Sequence, residues 1–197
     1  MSDGFWLGLL KSILAQPGGG VGGSVSVPVT TTFSSPIPQR PFIIHNPSPN
    51  RKSAPGRQVT CVIIHATATP MLASPLAWLC DPKSGVSAHY LIDKDGTVYQ
   101  LVHDDDIAWH AGESFWQGRS SVNAFSIGIE LVNMNDGVDP YPEAQKAACA
   151  QLTKAICSER GIPMDYNGIT GHENIAPGRK HDPGMAWPWP EFYARLA

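Results

Sequence analysis

Cysteine is scarce in this chain and poorly spaced for metal or redox work. The 197 residues contain four, Cys61, Cys80, Cys149 and Cys157. No two form a Cys-x-x-Cys pair, which removes zinc-finger and thioredoxin-type readings. Cys61 falls in an apolar stretch and reads as packing. Cys149 and Cys157 share a predicted helix, separated by about 12 Å along its axis, which is beyond disulfide reach. Free thiols are expected, and Cys61–Cys80 is the pairing the spacing leaves open. Charge is also sparse: charged residues make up 16 % and the net charge is -3. With that balance nothing suggests a polyanion partner such as a nucleic acid, held by counterion release. The run Asp104-Asp105-Asp106 reads as a solvated turn. His-Glu-x-x-His is missing, which argues against the commonest zinc peptidases, and internal repeats are missing too.

Long apolar runs are lacking as well. The segment from Phe5 to Ala15 is too short for an ordinary membrane-spanning helix. Only Met1-Ser2-Asp3-Gly4 precede it, without the basic residues of a secretory signal. Three readings stand: a helix docked on the domain or a partner, an interfacial anchor giving weak membrane association through residues 5–15, and an atypical export signal. The docked helix carries the most weight. The apolar N-terminus favours action outside the cytoplasm, and a monomer is the default. Residues 16 to about 40 are rich in Gly, Ser, Thr, Val and Pro without periodicity, as in a mobile linker. The expected organisation is therefore 1–40 as apolar segment plus linker, and 41–197 as one folded domain.

Inside that domain the pattern is mixed α/β. Val59–His65 and Phe125–Val132 read as buried central strands. Ala88–Asp93 and Thr97–Val102 flank Lys94-Asp95-Gly96, a hairpin signal. Helices are expected over Pro70–Leu79 and Pro142–Arg160. The second of these has Pro142 and Glu143 in its first turn, Gly161 past its end, and an apolar stripe of Ala148, Leu152, Ala155 and Ile156. The aromatic end, Trp187 to Tyr193, is expected to close over the core. His45, before Asn46-Pro47-Ser48-Pro49-Asn50, reads as structural or exposed at an irregular turn.

Chemistry concentrates in the segment from Gly171 to Gly184, which places His172, Lys180 and Asp182 on a loop stiffened by proline and glycine. His65 ends the apolar run Val62-Ile63-Ile64. Two imidazoles and a carboxylate suit a catalytic zinc, because three protein ligands leave a position for water, and water on such a zinc is acidified towards neutral pKa. Residue types alone leave satisfied core or turn histidines as an equal alternative. Glu130 lies within the apolar strand Ser126-Ile127-Gly128-Ile129-Glu130-Leu131, where a carboxylate is costly to bury without a task or partner. It is either a structural ion pair or a general base with a raised pKa. Lys180 is either a solvated charge or the stabiliser of an oxyanion. His110 and Trp109, in Ala108-Trp109-His110-Ala111-Gly112, are candidates for lining the cleft. His89 reads as a buried hydrogen-bonding residue, and His103 and His181 as exposed.

These segments resemble the zinc-dependent N-acetylmuramoyl-L-alanine amidase family, which includes bacterial recycling and periplasmic amidases, phage lysozyme-type amidases and the animal peptidoglycan recognition proteins. The resemblance runs through Asn46–Asn50, Val62–His65, Ser87–Ile92, Ala108–Gly112, Ser126–Glu130 and Gly171–Gly184, and so from about residue 41 to the end. It implies a mixed central β-sheet flanked by α-helices, with Zn2+ in a groove on one sheet face. It implies His65, His172 and Asp182 as zinc ligands, Glu130 as base and Lys180 as transition-state stabiliser, with peptidoglycan or a muropeptide as partner. The implied reaction is hydrolysis of the amide between the lactyl group of N-acetylmuramic acid and L-alanine. Asp182 in place of cysteine sets the chain nearer the recycling and periplasmic branches. Ala88 and Ala66 depart from the phage-type tyrosine and the recycling-type asparagine, so the choice between intact wall and anhydro-muropeptide stays open. Arg119 is a candidate for a stem-peptide carboxylate, because guanidinium binds carboxylate in bidentate fashion. The alternative function is a non-catalytic recognition module on the same fold. The complete set Asp182, Glu130 and Lys180 favours the enzyme.

Overall fold

A computed structural model describes residues 37–197. The apolar segment 5–15 and nearly all of the 16–40 stretch lie outside the described residues, with the readings placed on them. No helix among the described residues is long and apolar enough to cross a membrane.

Six strands form the central sheet: β1 (Ile43–His45), β3 (Cys61–Ala66), β4 (Tyr90–Ile92), β5 (Val98–Gln100), β9 (Ser126–Leu131) and β10 (Ile169–Gly171). Their order is β1-β5-β4-β9-β3-β10. β4 and β5 are the expected antiparallel hairpin, whereas β4, β9, β3 and β10 run parallel to their neighbours. The sheet is therefore mixed, as expected. Two short pairs lie beside it, β2 (Arg51–Ser53) with β6 (Asp106–Ala108) and β7 (Phe115–Trp116) with β8 (Arg119–Ser120).

Residue alternation divides the sheet into two unlike faces, since successive strand side chains point to opposite sides. Val62, Ile64 and Ala66 of β3 join Ile127, Ile129 and Leu131 of β9 in the larger apolar cluster. Helix α2 (Glu143–Arg160) supplies Cys149, Leu152 and Ile156 to this cluster, and α4 (Trp189–Leu196) supplies Phe192 and Leu196. Helix α2 ends as the sequence predicts, with Gly161 in the left-handed region at φ 66° and its N–H donating to the Cys157 carbonyl. The C-terminal aromatics close this face, with Trp187 and Phe192 both buried. The other face of the same strands carries Cys61, Ile63 and His65 of β3 beside Ser126, Gly128 and Glu130 of β9, paired in register. A smaller cluster including Ala111, Val122, Phe125 and Ile175 covers part of it. Ile175 belongs to the short helix α3 (His172–Ile175).

The first helix, α1 (Ala73–Cys80), starts later than expected. The chain leaves β3 through a bend with Ala68 at φ 54°, and the helical backbone is established only beyond it. His45 is exposed as read, but it ends a regular strand rather than an irregular turn. All four cysteines are free thiols.

The aspartate run is the clearest departure from the sequence reading. Asp104 is 3 % exposed. It accepts from the Tyr90 hydroxyl at 2.6 Å and pairs with Arg40 at 2.5 Å, while Arg40 also holds Glu159 at 2.6 Å. Burial alone would raise the Asp104 carboxyl, but the Tyr90 and Arg40 hydrogen bonds and the Arg40 charge outweigh it and hold the group below its usual value. A lowered folded pKa stabilises the fold above the unfolded value of about 3.9 and is lost as pH falls through the folded value. Asp104→Ala, which takes the acceptor from the buried Tyr90 hydroxyl and leaves Arg40 with Glu159 alone, should cost about 2 kcal/mol. Urea unfolding near neutral pH measures this loss. Below about pH 3.9 the gap between variant and wild type should narrow, and a gap independent of pH would remove the ion-pair account.

Candidate metal centre

Parallel strands deliver the site. β3, β9 and β10 end on the same edge of the sheet, where the open crevice of an α/β fold accepts ligands. His65 is next to last in β3, Glu130 is next to last in β9 and opposite it in register, and His172 follows directly on β10. The loop after α3 then turns back. Gly171 makes room for this return, because a Cβ there would stand 2.8 Å from Pro183 Cδ. The Asp182 carbonyl accepts the Glu173 N–H at 3.0 Å, and the Pro183 carbonyl accepts the Tyr141 hydroxyl at 2.8 Å. Clamped on both sides, Asp182 faces the two histidines.

One ligand-capable atom each from His65, His172 and Asp182 lies within 4.8 Å of the others, and all three residues are buried. His65 Nδ1 is 2.9 Å from His172 Nδ1, and each is 3.1 Å from Asp182 Oδ2. Burial lowers His65 to about 4, so its imidazole is neutral, the form that donates a lone pair. Burial would raise Asp182, but hydrogen bonds and charge from His172 and His65 hold it well below the ordinary carboxylate range. Two imidazole nitrogens and one carboxylate oxygen form a donor set that suits a divalent metal such as zinc.

Glu130 and Lys180 line the same cleft of about 360 Å³, together with Asp182, His172, His110, Trp109, Trp78 and Asn135. Glu130 Oε2 is shielded from solvent and has no hydrogen-bond partner among the described residues. A buried oxygen left unpaired is costly in a purely structural role. Burial and the nearby Asp182 carboxylate push Glu130 up to about 8, with Lys180 partly offsetting them.

Of the other sequence candidates, Trp109 lines the cleft and is exposed, while His110 is 8 % exposed and lines the cleft from its floor. Arg119 stands apart. It lies on β8, its guanidinium is 3.7 Å from the Phe125 ring centroid, and it is not among the residues lining the cleft. His89 is fully buried and accepts the Gly128 N–H at 3.0 Å. His103 and His181 are exposed, as read. Sequence reasoning passed over Arg179, which donates to the Ala111 carbonyl at 2.7 Å, the same oxygen that accepts His172 Nε2–H at 3.2 Å. It also passed over Ser126, on the site face of β9.

Comparison with known proteins fits this geometry. The profile of the N-acetylmuramoyl-L-alanine amidase family matches residues 55–185. The 1,6-anhydro-N-acetylmuramyl-L-alanine amidase AmpD of Salmonella typhimurium is 47 % identical over 114 residues, 57 % of this chain and 58 % of that enzyme. That match thus spans little more than half of the relative's length. The AmpD of Enterobacter cloacae is 37 % identical over 172 residues, covering 77 % of this chain and 89 % of the relative. Among solved structures, the AmiD amidase of E. coli, in complex with the substrate anhydro-N-acetylmuramic acid-L-Ala-D-gamma-Glu-L-Lys, superposes with a TM-score of 0.64. It is 35 % identical, over 73 % of this chain and 58 % of that one.

Proposed function

The chain belongs to the N-acetylmuramoyl-L-alanine amidase family, and from that premise we propose that it hydrolyses the amide joining the lactyl group of N-acetylmuramic acid to the L-alanine of the stem peptide, with Zn2+ held by His65, His172 and Asp182. The observation that carries the proposal is the convergence of those three donor atoms within 4.8 Å beside an unpaired Glu130 oxygen. Zinc in such a set supplies Lewis acidity, polarising an amide carbonyl and making water nucleophilic near neutral pH.

The protein's own groups do the rest. Glu130 takes a proton from the attacking water and returns it to the departing nitrogen, work suited to a carboxyl whose proton affinity burial has raised. Lys180, with no ion-pair partner among the described residues, neutralises the oxyanion that forms as the carbonyl becomes tetrahedral. Trp109 and Trp78 give the cleft an amphipathic wall for a sugar–peptide conjugate. The C–N bond breaks, leaving a lactyl carboxylate on the sugar and a free amino group on L-alanine. The substrate is peptidoglycan or a muropeptide released from it.

Mass-spectrometric product analysis tests this directly. Purified peptidoglycan and anhydro-muropeptide, incubated with the protein, should each be assayed for stem peptides with L-alanine at the amino terminus. The products should vanish on chelation and return with added zinc. Binding of both substrates without product from zinc-loaded protein would replace the enzyme with a recognition module.

A further inference from the structure

The zinc reading leaves unexplained a line of buried polar groups running from His65 into the sheet. His65 Nε2 is 3.0 Å from His110 Nδ1, and His110 Nε2 is 3.1 Å from Ser126 Oγ. The Ser126 hydroxyl donates to the Val122 carbonyl at 2.7 Å. Ser126 is fully buried, and β9 makes room for the ring between them, because a Cβ on Gly128 would lie 2.4 Å from His110 Cγ.

These contacts have only one consistent direction. A carbonyl accepts and cannot donate, so the Ser126 proton is committed to Val122 and the Ser126 oxygen must accept. His110 therefore donates through Nε2–H. The two nitrogens of the buried His110 ring face only His65 and Ser126, with no carboxylate partner among the described residues, and an unpaired buried charge is costly, so the ring carries one proton and its Nδ1 is bare. A bare Nδ1 accepts from His65 Nε2–H, which leaves His65 Nδ1 without a proton on the side facing His172 and Asp182. His172 reaches the same state by a shorter route, its Nε2–H given to the Ala111 carbonyl. Residues 110 and 111 thus fix both imidazoles, one through a side chain and one through the backbone.

We propose that Ser126, acting through His110, sets the proton position of His65 and so turns its Nδ1 lone pair towards the metal. Ser126 and His110 are positioning residues in this scheme, which rests on the reading of His65 as a zinc ligand. Loss of a partner behind a metal-binding histidine weakens metal binding by about 10- to 100-fold. Without the Ser126 oxygen, His110 is free to carry its proton on Nδ1, where it opposes the tautomer His65 needs.

Nuclear magnetic resonance of the zinc-loaded full chain, with isotope-labelled histidine, reads the proton positions without any substitution. His65 and His110 should each carry their proton on Nε2, and a proton on His110 Nδ1 would overturn the relay. Ser126→Ala, checked for cooperative unfolding, should bind zinc about tenfold more weakly in chelator competition and should populate both His110 tautomers once zinc is removed. Wild-type affinity in that variant would also overturn it. Failure of the wild-type chain to take up zinc would overturn the ligand assignment and the relay together. Zinc uptake with the wrong His110 tautomer would overturn the relay alone.

Discussion

Asp182→Ala should emerge from purification without zinc and without amidase activity. The carboxylate is the only anionic member of the donor set, and its Oδ2 is equidistant from the two histidine nitrogens. Removing it leaves two imidazoles and no anionic ligand, too few donors to hold a divalent ion against water. The fall in kcat/KM should be on the order of 10³-fold, beyond the 10- to 100-fold that follows loss of a group merely supporting a ligand. The fold should survive, because the loop is clamped through backbone atoms: the Asp182 carbonyl by Glu173 and the Pro183 carbonyl by Tyr141. Elemental analysis of the purified variant gives the zinc content, and circular dichroism checks the fold. Stoichiometric zinc in Asp182→Ala would remove Asp182 from the ligand set.

Glu130→Gln should separate metal binding from turnover. Glutamine fills the same space on β9, next to His65 in register, and leaves the three ligands untouched. It cannot act as the proton carrier. Zinc content should stay at the wild-type level and KM should change little, while kcat falls by about 10²- to 10⁴-fold, the range for loss of a positioned general base. Parallel loss of zinc would make Glu130 a structural partner of the site. Full turnover would return the base role to water or to another side chain.

The parts of this architecture that were legible in the sequence are those in which one residue breaks a pattern. His65 and Glu130 each interrupt an apolar strand, and an interruption of that kind has a physical cost that demands a reason. The Asp-Gly turn announced the β4–β5 hairpin, and Gly161 announced the end of α2. Asp104 was misread because what buries it is remote: Arg40 lies 64 residues away in sequence, and Tyr90 sits on strand β4. Three consecutive carboxylates look alike until the fold selects one of them. Ser126 was silent for a different reason. A serine opening a strand is ordinary alternation, and only the register of β9 against β3, together with the seat on Gly128, turns it towards His110. The helix start at Ala73 depended on a backbone bend at Ala68, which no side-chain pattern announces.

The placement of the ligands along the chain also bears on synthesis. His65 is separated from His172 by 107 residues and from Asp182 by 117, and β10, which carries His172 to the site, adds to β3 late in the chain. A nascent polypeptide still on the ribosome lacks a complete donor set until almost all of the domain has been translated. Fragments released early lack Asp182 and, if shorter still, His172. For a protein whose proposed substrate is peptidoglycan or a muropeptide, hydrolytic competence thus arrives with completion of the domain, and premature termination yields inert products.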